Sequence, residues 1–190
     1  MVIYSKYNNK SMYYIKLVGV SLLSLGGLNQ AHAWQHEIAV GYGFGKEIDQ
    51  NYRNQGIVIS GKLYKFPNID ETLIASIDGT LAHIRAKTDE HKRLTTAALS
   101  LAMRAYFADP LFYQKRPYLQ VTFGPAFLSA EELGNRSQGA HFAFQSTFET
   151  GMEIGSIDLN LKFMHYCNAG IFHPNQGINL VSTFSLGYMF

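Results

Sequence analysis

Two side chains with complementary chemistry, His165 and Cys167, lie two residues apart near the end of an alternating segment. The segment, Ile157–Asn168, carries apolar residues at one parity and polar residues at the other. In an extended strand, residues i and i+2 point to the same face, so the imidazole and the thiol share the apolar face. A histidine can remove the proton of a neighbouring thiol, and the thiolate is a strong nucleophile. The spacing therefore indicates a base–nucleophile pair on an apolar wall; the alternative is an interfacial histidine beside a small apolar cysteine.

The strand that carries this pair is one of eight stretches with strand character. They are roughly Gln35–Phe44, Gln55–Phe66, Glu71–Ile84, Leu94–Phe107, Pro117–Leu128, Gly139–Met152, Ile157–Asn168 and Ile178–Phe190. Most are longer than the strands of soluble sheets, and a tilted membrane strand needs about 9–11 residues. An even number of antiparallel strands can close into a barrel without an open edge. We therefore predict an all-β fold, an eight-stranded antiparallel transmembrane β-barrel; a soluble β-sandwich is the alternative.

The first 33 residues have the layout of a secretory signal peptide. Three lysines (Lys6, Lys10 and Lys16) precede an apolar run, Leu17–Leu28, and a small-x-small cleavage site, Ala31–Ala33. The apolar run is too short to span a bilayer as a helix. We expect residues 1–33 to be removed on export and residues 34–190 to form a barrel integral to the bacterial outer membrane. An uncleaved anchor is the alternative.

Charge and composition exclude several other classes of protein. Of 16 basic residues, three lie in the leader, which leaves 13 against 14 acidic residues. No basic patch points to nucleic acid. Cys167 is the one cysteine, so an intrachain disulfide cannot form. We predict neither a metal nor a cofactor, because the remaining histidines lack metal-ligand spacing: His36, His83, His91, His141 and His173.

The position of the pair along its strand sets its depth in the membrane. Both termini of such a barrel lie in the periplasm, so the strand begins at Ile157 on the periplasmic side. A rise of about 3.3 Å per residue and a tilt of about 40° place His165 roughly 20 Å higher. The apolar band of a barrel is about 25 Å tall, so the pair should lie near the outer-leaflet interface. Ester-linked acyl chains of outer-leaflet lipids are within reach there.

The residues around the pair resemble a known family. His165-Tyr166-Cys167-Asn168-Ala169-Gly170, followed by Pro174-Asn175 and Gly177, is similar to the signature of the lipid A 3-O-deacylases of the PagL type. That resemblance implies an eight-stranded outer-membrane barrel that removes the 3-position acyl chain from lipid A. It also implies a His-x-Ser pair on the outer wall and an acidic residue that orients the histidine. Some members of the family are dimeric, which leaves a homodimer open.

This chain departs from the family pattern at two positions. Cys167 stands where the family has serine, and Asn179 stands where its acid lies, fourteen residues after the histidine. An asparagine can orient a histidine through its carbonyl, as in Cys-His-Asn proteases and outer-membrane phospholipase A. We therefore predict a triad of His165, Cys167 and Asn179. Parity counted from Phe190 turns Asn179 inward and Leu180 outward, and a bulge after Gly177 would reverse both.

The loop 170–177 is expected to supply the oxyanion site. Asn175 offers an amide donor, and Gly170 allows close approach of the backbone; a plain turn role for Asn175 is the alternative. Asn168 has inward parity and is expected to be structural. The resemblance implies that the protein is an ester hydrolase acting on lipid A. Two alternatives remain, a non-catalytic structural barrel of the same descent and an outer-membrane phospholipase.

Overall fold

The computed structural model describes residues 36–67, 72–107 and 115–190. The expected signal peptide, residues 1–33, lies outside the described residues, so its removal stays a prediction. Residues 108–114, most of the connection between the predicted fourth and fifth strands, also lie outside them. No helix in the described ranges is long and apolar enough to cross a membrane.

Eight long strands of the described ranges form one closed barrel in which every neighbouring pair is antiparallel. They are β1 (Glu37–Lys46), β2 (Arg53–Lys65), β3 (Leu73–Ala86), β4 (Arg93–Tyr106), β5 (Lys115–Leu128), β8 (Phe142–Ile154), β9 (Ile157–Cys167) and β10 (Ile178–Met189). A small hairpin, β6 (Glu132–Leu133) and β7 (Arg136–Ser137), lies in the connection between β5 and β8. The neighbour order is β1-β10-β9-β8-β5-β4-β3-β2, so β1 closes the barrel against β10. The predicted fold class is confirmed.

The outer wall is apolar and the interior is mixed, as the alternation predicts. Large side chains such as Leu101, Phe123 and Leu186 are exposed on the wall, at 64%, 56% and 58% of their surface. A continuous exposed apolar surface of this kind is stable against lipid and unstable against water. The strand pattern and the wall chemistry therefore agree on a membrane barrel.

Inside the barrel, β9 passes from a polar layer to an apolar layer. The first inward residues of β9, Asp158, Asn160 and Lys162, are buried among charged and polar side chains of the interior. The later inward residues, Met164 and Tyr166, are fully buried in the larger apolar cluster of the described residues. The end of the barrel at which β9 finishes is called the site end below. His165 and Cys167, at the same end of β9, are thus backed by a packed apolar core.

The interior polar residues pair with one another in a cluster around Arg104 and Lys162, called the charged core below. The Arg104 guanidinium lies 3.1 Å from Glu37, 2.7 Å from Glu153 and 3.7 Å from Glu149. The Lys162 ammonium lies 3.0 Å from Glu149. An eight-stranded barrel is too narrow for a pore, so these side chains fill its interior.

One strand departs from simple alternation, and it does so beside the site. In β10, Leu180 pairs with Met164 and Thr183 pairs with Lys162, so two residues of β10 face the single residue Phe163. This is a β-bulge, and it reverses the inside–outside parity of the residues before it. The parity-based expectation that Leu180 faces lipid is therefore wrong, because Leu180 is fully buried in the apolar core.

Candidate active site

His165 and Cys167 are half-buried and share the outward parity of β9. The residue between them, Tyr166, is fully buried on the inward side, and its hydroxyl lies 2.9 Å from Thr96 Oγ1. Because successive residues of a strand point to opposite faces, the inward Tyr166 places His165 and Cys167 on the outer wall. On the side of β8, His165 pairs with Ser146 and Cys167 pairs with Phe144.

Asn179 is the backbone partner of His165 across the β9–β10 ladder. The bulge that buries Leu180 brings the Asn179 side chain to the histidine, and Asn179 Oδ1 lies 2.8 Å from His165 Nδ1. Of the two registers left open by the sequence, the bulged one is present. An amide oxygen only accepts, so His165 Nδ1 carries the proton in this bond. The second ring nitrogen, Nε2, then has the lone pair that a general base needs.

Glu47, the residue directly after β1, lies behind Asn179 and is 1% exposed. Its Oε1 accepts from Asn179 Nδ2 at 2.5 Å, and its Oε2 accepts from the Asn179 backbone N–H at 3.0 Å. Two further donors complete the shell: Asn54 Nδ2 at 2.6 Å and the Ile48 backbone N–H at 3.0 Å. Glu47 was not among the residues predicted for the site, because it lies 132 residues from Asn179 and belongs to no local motif.

Two glycines allow the backbone to approach closely around this network. A Cβ at Gly45 would lie 2.6 Å from Val181 Cβ, so a side chain there would push β1 away from the bulge. Gly177 has a φ of +42°, and a Cβ there would lie 2.8 Å from His165 Cε1. The left-handed conformation suits glycine, and its bare backbone forms one wall of the histidine pocket.

The loop 168–177, which follows β9, is organised by Asn168. This residue is fully buried, and its side-chain amide donates to the Phe172 carbonyl at 2.9 Å. Its side-chain oxygen accepts from Gly170 N–H at 2.8 Å, and its backbone N–H donates to Asn175 Oδ1 at 3.1 Å. Asn168 therefore has the structural role expected from its inward parity, and it ties both suggested oxyanion residues, Gly170 and Asn175, to the end of β9.

The same loop is braced from outside by the β6–β7 hairpin. Gln176 exchanges two bonds with Ser137, one from its backbone N–H at 3.0 Å and one to its side-chain oxygen at 2.9 Å. Arg136 donates to the Gln176 carbonyl at 3.1 Å and also to the Ile48 carbonyl. The guanidinium thus links the loop after β9 to the connection that carries Glu47. Each strand of this hairpin has only two residues, too few for alternation in the sequence to indicate it.

The wall beside Cys167 is aromatic. Phe144, its neighbour on β8, stacks on Phe123 with ring centroids 5.2 Å apart and meets Phe142 edge-on at 5.2 Å. A thiol bordered by aromatic rings on a lipid-facing wall can meet an acyl chain without crossing a polar barrier. The site therefore combines a histidine with a fixed tautomer, a thiol on the same face and an apolar approach.

Comparisons with known proteins show which family and which fold this chain resembles. A family model described as Lipid A 3-O-deacylase (PagL) matches residues 4–189. Lipid A deacylase PagL of Pseudomonas aeruginosa is 27% identical over 70 residues, which cover 36% of this chain and 40% of that protein. The crystal structure of the outer membrane enzyme PagL superimposes with a TM-score of 0.61 at 15% identity. That superposition covers 82% of this chain and 99% of the solved one.

Proposed function

This chain belongs to the lipid A 3-O-deacylase family, an outer-membrane hydrolase family, and from that premise we propose that it hydrolyses the 3-position ester of lipid A. The substrate would lie in the outer leaflet of the bacterial outer membrane. The observation that carries the proposal is the bond between His165 and Asn179, which orients the imidazole on the wall that also bears Cys167.

The proposed reaction has two halves that share one histidine. His165 Nε2 takes the proton of the Cys167 thiol, and the thiolate sulfur attacks the ester carbonyl carbon. The tetrahedral intermediate collapses when the C–O bond to the sugar breaks, and His165 returns the proton to the departing sugar hydroxyl. A water molecule, deprotonated by His165, then attacks the thioester. The C–S bond breaks, the fatty acid leaves, and His165 returns the proton to the Cys167 sulfur.

The developing negative oxygen needs donors that are fixed in advance. Asn175 is suited to this role, because its side-chain oxygen is held by the Asn168 backbone N–H and its Nδ2 is the donor end. Gly170 contributes less directly, since its N–H already donates to Asn168 Oδ1. Its φ of +80° and the open space at its Cβ position leave room for the substrate carbonyl.

Cys167 in place of the usual serine changes the first half of the reaction more than the second. A thiol loses its proton more readily than an alcohol, so it depends less on the base. The thioester that follows is reactive toward water. The reaction needs no cofactor.

Expression in a Gram-negative host that lacks such an enzyme, followed by mass spectrometry of its lipid A, tests the proposal. We expect the mass of one 3-hydroxyacyl chain to be lost with the unmodified protein and retained with Cys167→Ala. Unchanged lipid A in the presence of a correctly folded barrel would favour a non-catalytic structural role. Activity that appears only in Cys167→Ser would identify the cysteine as an inactivating replacement, and lysophospholipid in place of deacylated lipid A would indicate a phospholipase.

A further inference from the structure

We infer that Glu47 is a positioning residue for His165 and acts on it through the amide of Asn179. The inference rests on the proposed role of His165 as the base. The three groups form one line of contacts: His165 Nδ1 to Asn179 Oδ1 at 2.8 Å, then Asn179 Nδ2 to Glu47 Oε1 at 2.5 Å. Glu47 does not touch the reacting atoms, so its effect must pass through Asn179.

The hydrogen-bond partners of the Glu47 carboxylate are all donors. Each oxygen accepts two bonds, and all four donors are amide N–H groups: Asn179 Nδ2, Ile48 N, Asn54 Nδ2 and Asn179 N. A carboxylate accepts at about four sites and donates at none. Four neutral dipoles stabilise the buried charge without cancelling it, whereas a bound guanidinium would cancel it.

This charge fixes which way the Asn179 amide points. The nitrogen and oxygen of an amide look alike in shape, and the hydrogen-bond network decides between them. A carboxylate can only accept, so Nδ2 must face Glu47 and Oδ1 must face His165. Asn179 therefore cannot turn its N–H groups toward the imidazole, and His165 is kept in the tautomer with its proton on Nδ1.

The same charge strengthens the bond to the histidine. A hydrogen bond donated to a carboxylate polarises the amide and makes its oxygen a better acceptor. When His165 becomes positively charged during the reaction, Glu47 lies one amide away in a buried setting where charges interact strongly. Without Glu47, Asn179 would stabilise the positively charged His165 only through the dipole of its amide. With Glu47 behind it, the negative charge of the carboxylate adds to that dipole.

Asn54 keeps Glu47 and Asn179 in one arrangement. Its Nδ2 donates both to Glu47 Oε2 at 2.6 Å and to the Asn179 carbonyl at 2.8 Å. Asn54 is the second residue of β2 and is 1% exposed. Residues of or next to three strands, β1, β2 and β10, thus meet at the carboxylate. Its position therefore depends on the closure of the barrel.

Variants that remove the carboxylate at position 47, place one at position 179, or do both test the inference. Their kinetics are measured with purified protein and lipid A in mixed micelles. We expect Glu47→Gln to lower kcat by about 10- to 100-fold with little change in KM, the size of effect typical of lost supporting groups. Asn179→Asp alone should also lose activity, because it sets two carboxylates against each other. The double variant Asn179→Asp/Glu47→Gln should recover kcat to within about tenfold of the original. In that variant one charge remains, and the new glutamine can donate to it.

Rescue by the double variant is the result that a merely structural Glu47 would not give. Glu131→Gln is the matched control, because Glu131 is an exposed acid in the connection between β5 and β8, and it should leave kcat unchanged. A folded Glu47→Gln protein with unchanged kcat would overturn the inference. A folded double variant that is no better than either single variant would do the same.

A spectroscopic readout separates this inference from the proposed function. In ¹⁵N-histidine-labelled Cys167→Ala protein at about pH 8.5, where a free imidazole is neutral, His165 should carry its proton on Nδ1. Adding Glu47→Gln should give a mixture of the two tautomers, and His165→Gln assigns the signal. If the protein is inactive on lipid A but the tautomer of His165 depends on Glu47, the positioning role of Glu47 is supported and the proposed function is contradicted. A proton on Nε2, or no response to Glu47→Gln, would overturn the positioning role even in an active enzyme.

Discussion

Buried carboxylates occur in two settings in this barrel, and the difference between them separates stability from chemistry. In the charged core, Glu37, Glu149 and Glu153 surround the Arg104 guanidinium at 3.1, 3.7 and 2.7 Å. At the site end, Glu47 is held by four amide N–H groups. The first set is neutralised by ion pairing, and the second keeps a charge that its neighbours can feel.

The two settings also differ in what lies beyond them. The core carboxylates contact other core groups, as when Glu149 accepts from Tyr118 at 2.6 Å, so their charge is used within the barrel. Glu47 contacts Asn179, which contacts a histidine on the outer wall. The core carboxylates are thus paired within the narrow interior, whereas the Glu47 carboxylate is linked through one amide to His165 on the outer wall.

The largest expected effect on stability comes from the charged core. Arg104→Met leaves three buried carboxylates without their shared cation, and breaking a buried pair in this way costs about 3–5 kcal/mol. The free energy of unfolding, measured by urea titration in lipid vesicles, should fall by that amount. Deacylation by the folded fraction should remain within about twofold, because Arg104 does not contact the site. An unchanged unfolding free energy would show that the core is not held by this cation.

Glu47→Gln should lower the free energy of unfolding less than Arg104→Met does, and should lower kcat more. Its oxygen and nitrogen keep some of the four bonds, so the free energy of unfolding should fall by only about 1–2 kcal/mol. The loss of kcat described above should exceed what this destabilisation explains. A loss of stability as large as that of Arg104→Met would contradict the distinction between the two settings.

Gly177→Ala tests the fit of the histidine pocket. Forcing alanine into a positive φ costs about 1 kcal/mol, and the new Cβ would press on His165 Cε1. We expect kcat to fall about tenfold, since a displacement of about 1 Å at a reacting group can cost 100-fold. Gly155→Ala is the control, because Gly155 also has a positive φ, +59°, and has open space at its Cβ position. Equal kcat values in the two variants would remove the pocket-wall role of Gly177.

The smallest effect is expected where a carboxylate is exposed. Glu132 lies 2.7 Å from His91 Nε2, but both side chains are about half exposed. Exposed pairs contribute little, so Glu132→Gln should change the unfolding free energy by less than about 0.5 kcal/mol. This variant sets the baseline for a carboxylate that is neither ion-paired in the core nor solvated by buried amides. A loss above about 1 kcal/mol would show that exposure is a poor guide in this connection.

Short-range alternation predicts much of this molecule and fails at two identifiable places. It places His165 and Cys167 on the wall of β9, because that strand is regular from Ile157 to Cys167. It misplaces Leu180, since a one-residue bulge leaves no mark in the pattern of residue types. It also misses Glu47, whose role depends on barrel closure bringing β1 and β10 together. Contacts between distant segments, once the chain has closed, supply what the sequence pattern lacks.

The most direct test of the account compares purified Cys167→Ala with the unmodified protein on lipid A in mixed micelles. The folded fractions of the two proteins are first matched, as judged from the electrophoretic mobility of unheated samples. The free 3-hydroxy fatty acid is measured over time by mass spectrometry. We expect steady release by the unmodified protein and a rate at least about 1,000-fold lower for Cys167→Ala, the scale of loss seen when a nucleophile is removed. Equal release by both proteins, or none from the folded unmodified protein, would contradict it.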